Sequence, residues 1–258
     1  MKNKMHKQMA VCGMAAVKAL AKEHPEQIRR FYYSEDNIHQ FGNLCKYLAQ
    51  NKIPYNKVQE QDLEKLCGSV HHQGAVAMID EVKPQHLTIP IVDGWVERKE
   101  SAILLDRIGN ANNLGAIIRS AAFFGIRNIV IPIGEVQSAV TTSTYRVAQG
   151  GMEYVNVYSV RSAVRLLQDL QGRMARIGTD VKSKNSVRNI KKICNEKPVV
   201  VVLGNEEYGI SKLIQENCDD LVVIPGSSFG TKKEQKMESL NVAQAAAVLF
   251  YEMANLWS

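Results

Sequence analysis

Ile103-Leu-Leu-Asp-Arg-Ile-Gly-Asn-Ala-Asn-Asn-Leu-Gly-Ala-Ile-Ile-Arg-Ser-Ala-Ala-Phe-Phe-Gly125 is the stretch from which the fold of this chain is read. Residues 103–105 are consecutive branched apolar side chains, the pattern of a short buried strand. A polar loop dense in Asn and Gly follows. Leu114, Ile117, Ile118, Ala121 and Ala122 then recur at helical spacing. Asn112 or Asn113 is the expected N-cap, and Gly125 the C-terminal stop. Arg119 falls between two apolar turns. In α/β proteins, ligands bind where the carboxyl end of a strand meets the next helix. Taken alone, the stretch supports two readings: a ligand loop that includes Arg119, or an ordinary βα unit with a solvated arginine.

The same alternation continues downstream. Strands are expected over 128–131, 154–160, 175–179, 198–203 and 221–224, and helices over 138–148, 161–171 and 241–256. The unbroken Val-rich run at 198–203 is the signature of a central parallel strand buried on both faces. Residues 182–192 hold five basic side chains and no acid, and read as a solvated loop or one lying over RNA. Upstream, helices over 11–23, 37–50 and 61–67 alternate with strands over 28–33, 54–58 and 74–79. Between the two regions stand Pro84, Pro90, Gly94 and the charged run Glu97-Arg-Lys-Glu100. The expected organisation is a small N-terminal α/β domain (1–82), a linker (83–100) and a C-terminal parallel-sheet α/β domain (101–258).

With 45% hydrophobic and 22% charged residues in 258, the chain reads as a soluble globular protein of one or two domains. Its net charge of +6 favours an anionic partner such as nucleic acid. The excess is evenly spread, so it marks no single basic face. Cys12, Cys45, Cys67, Cys194 and Cys218 are scattered, without a Cys-x-x-Cys pair. That argues against a disulfide framework or zinc site and fits a reducing cytoplasm. No apolar run approaches the ~20 residues of a membrane span, and Lys18 interrupts the only N-terminal candidate for a signal peptide. Arg29, Arg30, Tyr32 and Tyr33 are of the types that stack on and pair with RNA, or else pack and solvate an ordinary strand. The adjacent His71 and His72 would face opposite ways in a strand, and read as structural.

Three loops stand at strand ends: 110–119, 204–209 and 225–241. Gly204 and Gly209 permit close backbone approach, Glu206 and Glu207 supply carboxylates, and Ser239 and Asn241 supply neutral polar groups. Several motifs are absent. No Gly-x-Gly-x-x-Gly follows the first strand, Gly-Thr-Lys at 230–232 lacks Walker order, and there is no Gly-x-Ser-x-Gly elbow.

Taken together, Asn113-Leu-Gly-Ala-Ile-Ile-Arg119, Val202-Leu-Gly-Asn-Glu206-Glu-Tyr-Gly-Ile-Ser211, and Ile224-Pro225 with Ser239-Leu-Asn-Val-Ala243 resemble the three motifs of the SpoU/TrmH family. These are RNA ribose 2′-O-methyltransferases that use S-adenosylmethionine. The resemblance covers roughly residues 101–256. Val11-Cys-Gly-Met-Ala-Ala-Val17 and His72-Gln-Gly-Ala-Val76 are similar to the small substrate-binding domain that many members carry.

The resemblance implies a catalytic domain whose C-terminal segment is tucked through a loop as a trefoil knot, and a homodimer formed through that domain. It implies rRNA or tRNA as substrate, and no metal. Gly204, Ile224 and Leu240 would hold the cofactor. Arg119, Asn113, Glu206, Ser239 and Asn241 would line the reaction centre. Two departures stand out: Asn110-Ala111 replaces an Asp-Pro frequent in the family, and the loop 226–238, with Lys232, Lys233 and Lys236, is longer than usual. A catalytically silent RNA-binding relative of the same fold is the alternative, with intact Arg119, Glu206 and Asn241 arguing against it.

Overall fold

Gln8–Cys12 forms a strand, β1, although the apolar spacing predicts a helix beginning at Val11. A computed structural model describes residues 7–134, 137–226, 239–254 and 256. Gly13, at φ +98°, separates β1 from the helix α1 (Met14–Glu23), which buries Ala16, Val17 and Leu20. An alternation of small apolar residues is compatible with either state. What makes 8–12 a strand is antiparallel pairing with β4, a partner that local periodicity does not reveal.

The first of two compact units comprises residues 1–83 together with 139–154. Besides β1 and α1 it contains β2 (Ile28–Tyr33), α2 (Gly42–Gln50), β3 (Tyr55–Lys57), α3 (Glu60–Cys67) and β4 (Ala75–Asp80). Its sheet runs β1-β4-β2-β3; β4 is antiparallel to both neighbours, and β2 is parallel to β3. Phe31 and Tyr33 point into the core with stacked rings, while Arg29 pairs with Asp80 at 2.9 Å. His72 is buried, its Nδ1 accepting from the Gly74 N–H at 3.1 Å, a structural role. The helix Thr142–Ala148, closed at its N-terminus by a Thr141/Thr144 capping box, and the turn Gly151–Tyr154 belong to this unit.

The second unit comprises 84–138 and 155–258. Its elements are β5 (Gln85–His86), α4 (Ile89–Glu97), β6 (Ala102–Leu105), α5 (Ala111–Phe123), β7 (Asn128–Pro132), β8 (Asn156–Val160), α6 (Ala163–Asp169), β9 (Ala175–Thr179), β10 (Asn185–Ser186), α7 (Ile190–Cys194), β11 (Val199–Leu203), α8 (Lys212–Glu216), β12 (Asp220–Val223) and α9 (Val242–Ala254). The described strands form one sheet in the order β10-β12-β9-β11-β6-β7-β8-β5, and every pairing is parallel. β6 and β11 sit side by side at its centre, fully buried, with Leu105 opposite Leu203. Their carboxyl ends therefore open next to each other, and α5 and α9 pack against one another.

Two further segments differ from the expectation. Residues 83–100, read as a linker, contain β5 and α4. Pro90 lies in the first turn of α4, where its missing N–H costs nothing, so it starts a helix instead of breaking one. Trp95 is buried there and meets Tyr158 edge-on at 5.4 Å. The basic stretch 182–192 is also not a plain loop: it holds β10, a 3-10 turn and α7, and buries Val187 and Ile190 beneath its charges. Among the described residues no helix is long and apolar enough to cross a membrane.

Candidate active site

The loop after β6 is set by two charged residues. The Asp106 N–H donates to the Leu203 carbonyl at 2.8 Å, extending the β6–β11 pairing by one step. The Asp106 side chain is buried and accepts from Arg107 and from the Ser211 N–H at 3.3 Å. Arg107 adopts φ +60°, and its Nη2 donates to both Asp106 and, at 3.1 Å, the Gly209 carbonyl. Asn205 returns a bond, Nδ2 to the Arg107 carbonyl, also at 3.1 Å. The two central βα loops are thus stapled together. Sequence reasoning passed over Asp106 and Arg107; an Asp-Arg pair directly after a buried strand was the available signal.

α5 begins two or three residues earlier than expected. Asn110 is the N-cap, its Oδ1 accepting from the Asn112 N–H at 2.8 Å, so Asn112 and Asn113 lie inside the first turn. Asn and Asp are both strong N-caps, and Ala111 occupies the first helical position. The Asn110-Ala111 entry therefore forms a well-capped helix start.

The 204–211 loop is tight. A Cβ on Gly204 would lie 2.3 Å from Gly209 C and Ile210 N, closer than any real contact. Asn205 Oδ1 accepts from the N–H groups of Glu207 (2.9 Å) and Tyr208 (3.1 Å), and the Gly209 N–H donates to the Asn205 carbonyl at 2.9 Å. Gly209, at φ +64°, closes the turn.

Asn113 joins the distant segments. Its Nδ2 donates to Glu206 Oε1, and its Oδ1 accepts from Asn241 Nδ2 at 3.2 Å. Asn241 Oδ1 in turn accepts from the Ala243 N–H at 2.9 Å, capping α9. The residues anticipated at 113, 206 and 241 are thereby brought into one network. Gly204 is buried beneath it, at the end of β11. Ser239 and Leu240 are exposed just before α9. Ile224 is half-buried at the end of β12, which β9 separates from β11. Arg119 is exposed on α5 and, among the described residues, has no hydrogen-bond or ion-pair partner. Lys232, Lys233 and Lys236 of the long loop lie outside the described residues. Among the described residues no group of three or more His, Cys, Asp or Glu side chains is placed to hold a metal ion.

The chain as a whole is similar to known proteins. The model of the SpoU rRNA methylase family matches residues 100–251, and that of the RNA 2′-O ribose methyltransferase substrate-binding domain matches residues 10–85. An uncharacterized tRNA/rRNA methyltransferase of Haemophilus influenzae is 34% identical over 58% of this chain, although that match spans only 42% of the relative's own length. A 23S rRNA (guanosine-2′-O-)-methyltransferase RlmB of Acinetobacter baylyi is 30% identical over 93% of this chain and 94% of its own. The AdoMet-bound rRNA methyltransferase structure from Sinorhizobium meliloti superposes with a TM-score of 0.71, at 20% identity, over 97% of this chain and 88% of its own, a likeness of fold. Asn113, Gly204, Glu206 and Asn241 thus lie within the stretch that the family model matches, and the chain belongs to the SpoU RNA methylase family.

Proposed function

We propose that this protein methylates the 2′-hydroxyl of a ribose in ribosomal RNA, with S-adenosylmethionine as the methyl donor. The observation that carries the reading is the Glu206–Asn113–Asn241 network, which unites three segments at the carboxyl end of the two central strands. The residues present suit the cofactor: backbone groups at Gly204, Ile224 and Leu240 can hydrogen-bond a heterocycle, and the last two add apolar side chains of the kind that line such pockets. When bound, S-adenosylmethionine supplies an electrophilic methyl group on a positively charged sulfur. The protein's own part is positioning, which can supply much of the rate of such a transfer. Asn113 holds Glu206 and Asn241 in fixed relation. Ser239 offers a hydroxyl at the mouth of α9. Arg119, uncommitted to any described partner, is available to hold a phosphate and stabilise the developing alkoxide. Its guanidinium stays protonated, so it orients and stabilises without serving as the base.

The 23S rRNA and the guanosine named for the Acinetobacter relative are the first substrate to try. Residues 1–82 are read as the RNA-binding domain, from the family model matched over 10–85, and 101–258 as the methyltransferase domain, of which 139–154 group with the first compact unit. A homodimer through that domain is supported by the exposed Phe123, at the end of α5, and Tyr251, on α9, whose rings each lie edge-on to Phe124. A trefoil knot and a cytoplasmic location follow the family pattern.

The deciding experiment maps ribose methylation in rRNA from cells with and without the gene. A 2′-O-methyl site that disappears with the gene, and returns when this protein and S-adenosylmethionine are added to that RNA, is expected. Failure to bind S-adenosylmethionine by calorimetry, with RNA binding retained, would replace this reading with the catalytically silent one.

A further inference from the structure

Tyr208 stands out among the residues around the site. It is 70% exposed, a large aromatic ring without packing, at the tip of the 204–211 loop and two residues from Glu206. Solvated aromatic rings are common at surfaces, but this one is not carried by a loose loop. Its N–H is bonded to Asn205 Oδ1 at 3.1 Å, and the turn is closed by the Gly209 N–H at 2.9 Å. Arg107 locks the far side through the Gly209 carbonyl at 3.1 Å. The ring is therefore offered to solvent from a pre-ordered backbone.

The charge around it restricts what it meets. Glu206 and Glu207 directly precede this position and are exposed. Two carboxylates disfavour a phosphate at this tip, whereas the face of a nucleobase is neutral. Enzymes that act on a single nucleotide splay it from its neighbours and stack its base, or an adjoining one, on aromatic side chains.

We propose that Tyr208 is a stacking platform for a nucleobase of the RNA substrate, at or next to the nucleotide whose ribose is methylated. This role rests on the methyl-transfer reading above. Tyr208 fixes the base plane and so the angle at which the ribose enters the site. It takes no part in the chemical step.

The test uses the full-length protein, rRNA from cells lacking the gene, and labelled S-adenosylmethionine. Tyr208→Ala is expected to raise KM for RNA, or lower kcat/KM, by about 5- to 150-fold, the range that loss of one stacked base produces. Affinity for S-adenosylmethionine by calorimetry should not change, and Tyr208→Phe should restore transfer while Tyr208→Leu should not. Unchanged transfer by Tyr208→Ala overturns the proposal, as does a Phe variant no better than Ala, which would assign the role to the hydroxyl. Loss of cofactor affinity in Tyr208→Ala also overturns it, since the effect would then lie in the loop. If the unaltered protein transfers no methyl group, the methyl-transfer reading fails and this role fails with it; in the other outcomes only Tyr208 is at issue.

Discussion

Asn241 donates to Asn113 at 3.2 Å, linking the cap of the last helix to the first turn of the helix that follows β6. Because Asn113 also donates to Glu206, a single amide uses both its donor and its acceptor to fix two other polar groups. Asn113→Ala removes both bonds at once and leaves the Asn241 cap on Ala243 intact. The predicted outcome is a loss in kcat of about tenfold or more, because a misplacement of about 1 Å in a positioned group can cost ~10²-fold. Asn113→Asp should be worse, since it sets a second carboxylate against Glu206. Steady-state methyl transfer, with cofactor affinity as the control, checks both variants. Normal turnover by Asn113→Ala would remove the network from the site.

Arg119 differs from Asn113 in having no described partner to lose. Arg119→Ala should therefore leave the melting temperature and S-adenosylmethionine affinity close to those of the unaltered protein while abolishing methyl transfer. Arg119→Lys keeps the charge but not the planar fork that engages a phosphate in two places, and should recover only a small part of the rate. Calorimetry and single-turnover transfer on the same samples separate binding from chemistry; an Ala variant that still turns over normally would return Arg119 to the status of a solvated surface charge.

Gly204 is constrained by backbone on its far side. In Gly204→Ala the new methyl group would meet Gly209 and Ile210 main chain at 2.3 Å, and neither atom belongs to a side chain that can swing away. The 204–211 loop, or the end of β11, has to move. Overpacking of this kind costs about 1–3 kcal/mol or more, which for a unit of this size lowers Tm by about 2–4 °C per kcal/mol. Thermal denaturation should show that drop together with weaker cofactor binding. Wild-type stability in this variant would mean that the loop does not approach β11 as described.

How much of this was legible beforehand depended on whether the relevant contact was local. The strand at 103–105 and the helix carrying Leu114, Ile117 and Ile118 are visible in apolar spacing because burial of one face dictates it. The cap was misplaced onto Asn112 or Asn113 because four polar or small residues in a row satisfy the capping pattern, and only the backbone geometry selects Asn110. Periodicity does not show β1 because the residues it pairs with in β4 lie 64 to 72 positions away in sequence. Pro90 was read as a break because a proline at a helix start and one in a linker look alike without the following turn. The meeting of Asn113, Glu206 and Asn241 could be anticipated only through the family resemblance, since no spacing rule joins residues so far apart. Asp106 and Arg107 do their stapling through a left-handed backbone angle and bonds to another loop, neither of which the sequence displays.

The same limitation hid Glu153, which lies in the first unit on the turn Gly151–Tyr154. Its Oε1 is buried with no hydrogen-bond partner among the described residues. Burial raises this carboxyl from its ordinary 4.5 to about 7; His24 opposes the rise, while Glu23 and Glu26 add to it. Tyr145, on the neighbouring helix, faces the same group and is itself pushed upward, first by burial and then by Glu153. A raised acid binds its proton more tightly in the folded state than in the unfolded one, so between about pH 4.5 and about 7 the folded state holds more protons and stability falls as pH rises. Below that window both states are protonated and the folded protein carries no penalty; above it the full cost of a buried carboxylate is present. Glu153→Gln keeps the shape of the protonated acid and removes the titration. Relative to the unaltered protein, its denaturation midpoint should be nearly equal under acidic conditions, rise steadily across the window, and remain higher at alkaline pH. Guanidinium unfolding curves recorded across that range give the difference directly, and a difference that stays flat with pH would mean that the Glu153 carboxylate is solvated in the folded protein.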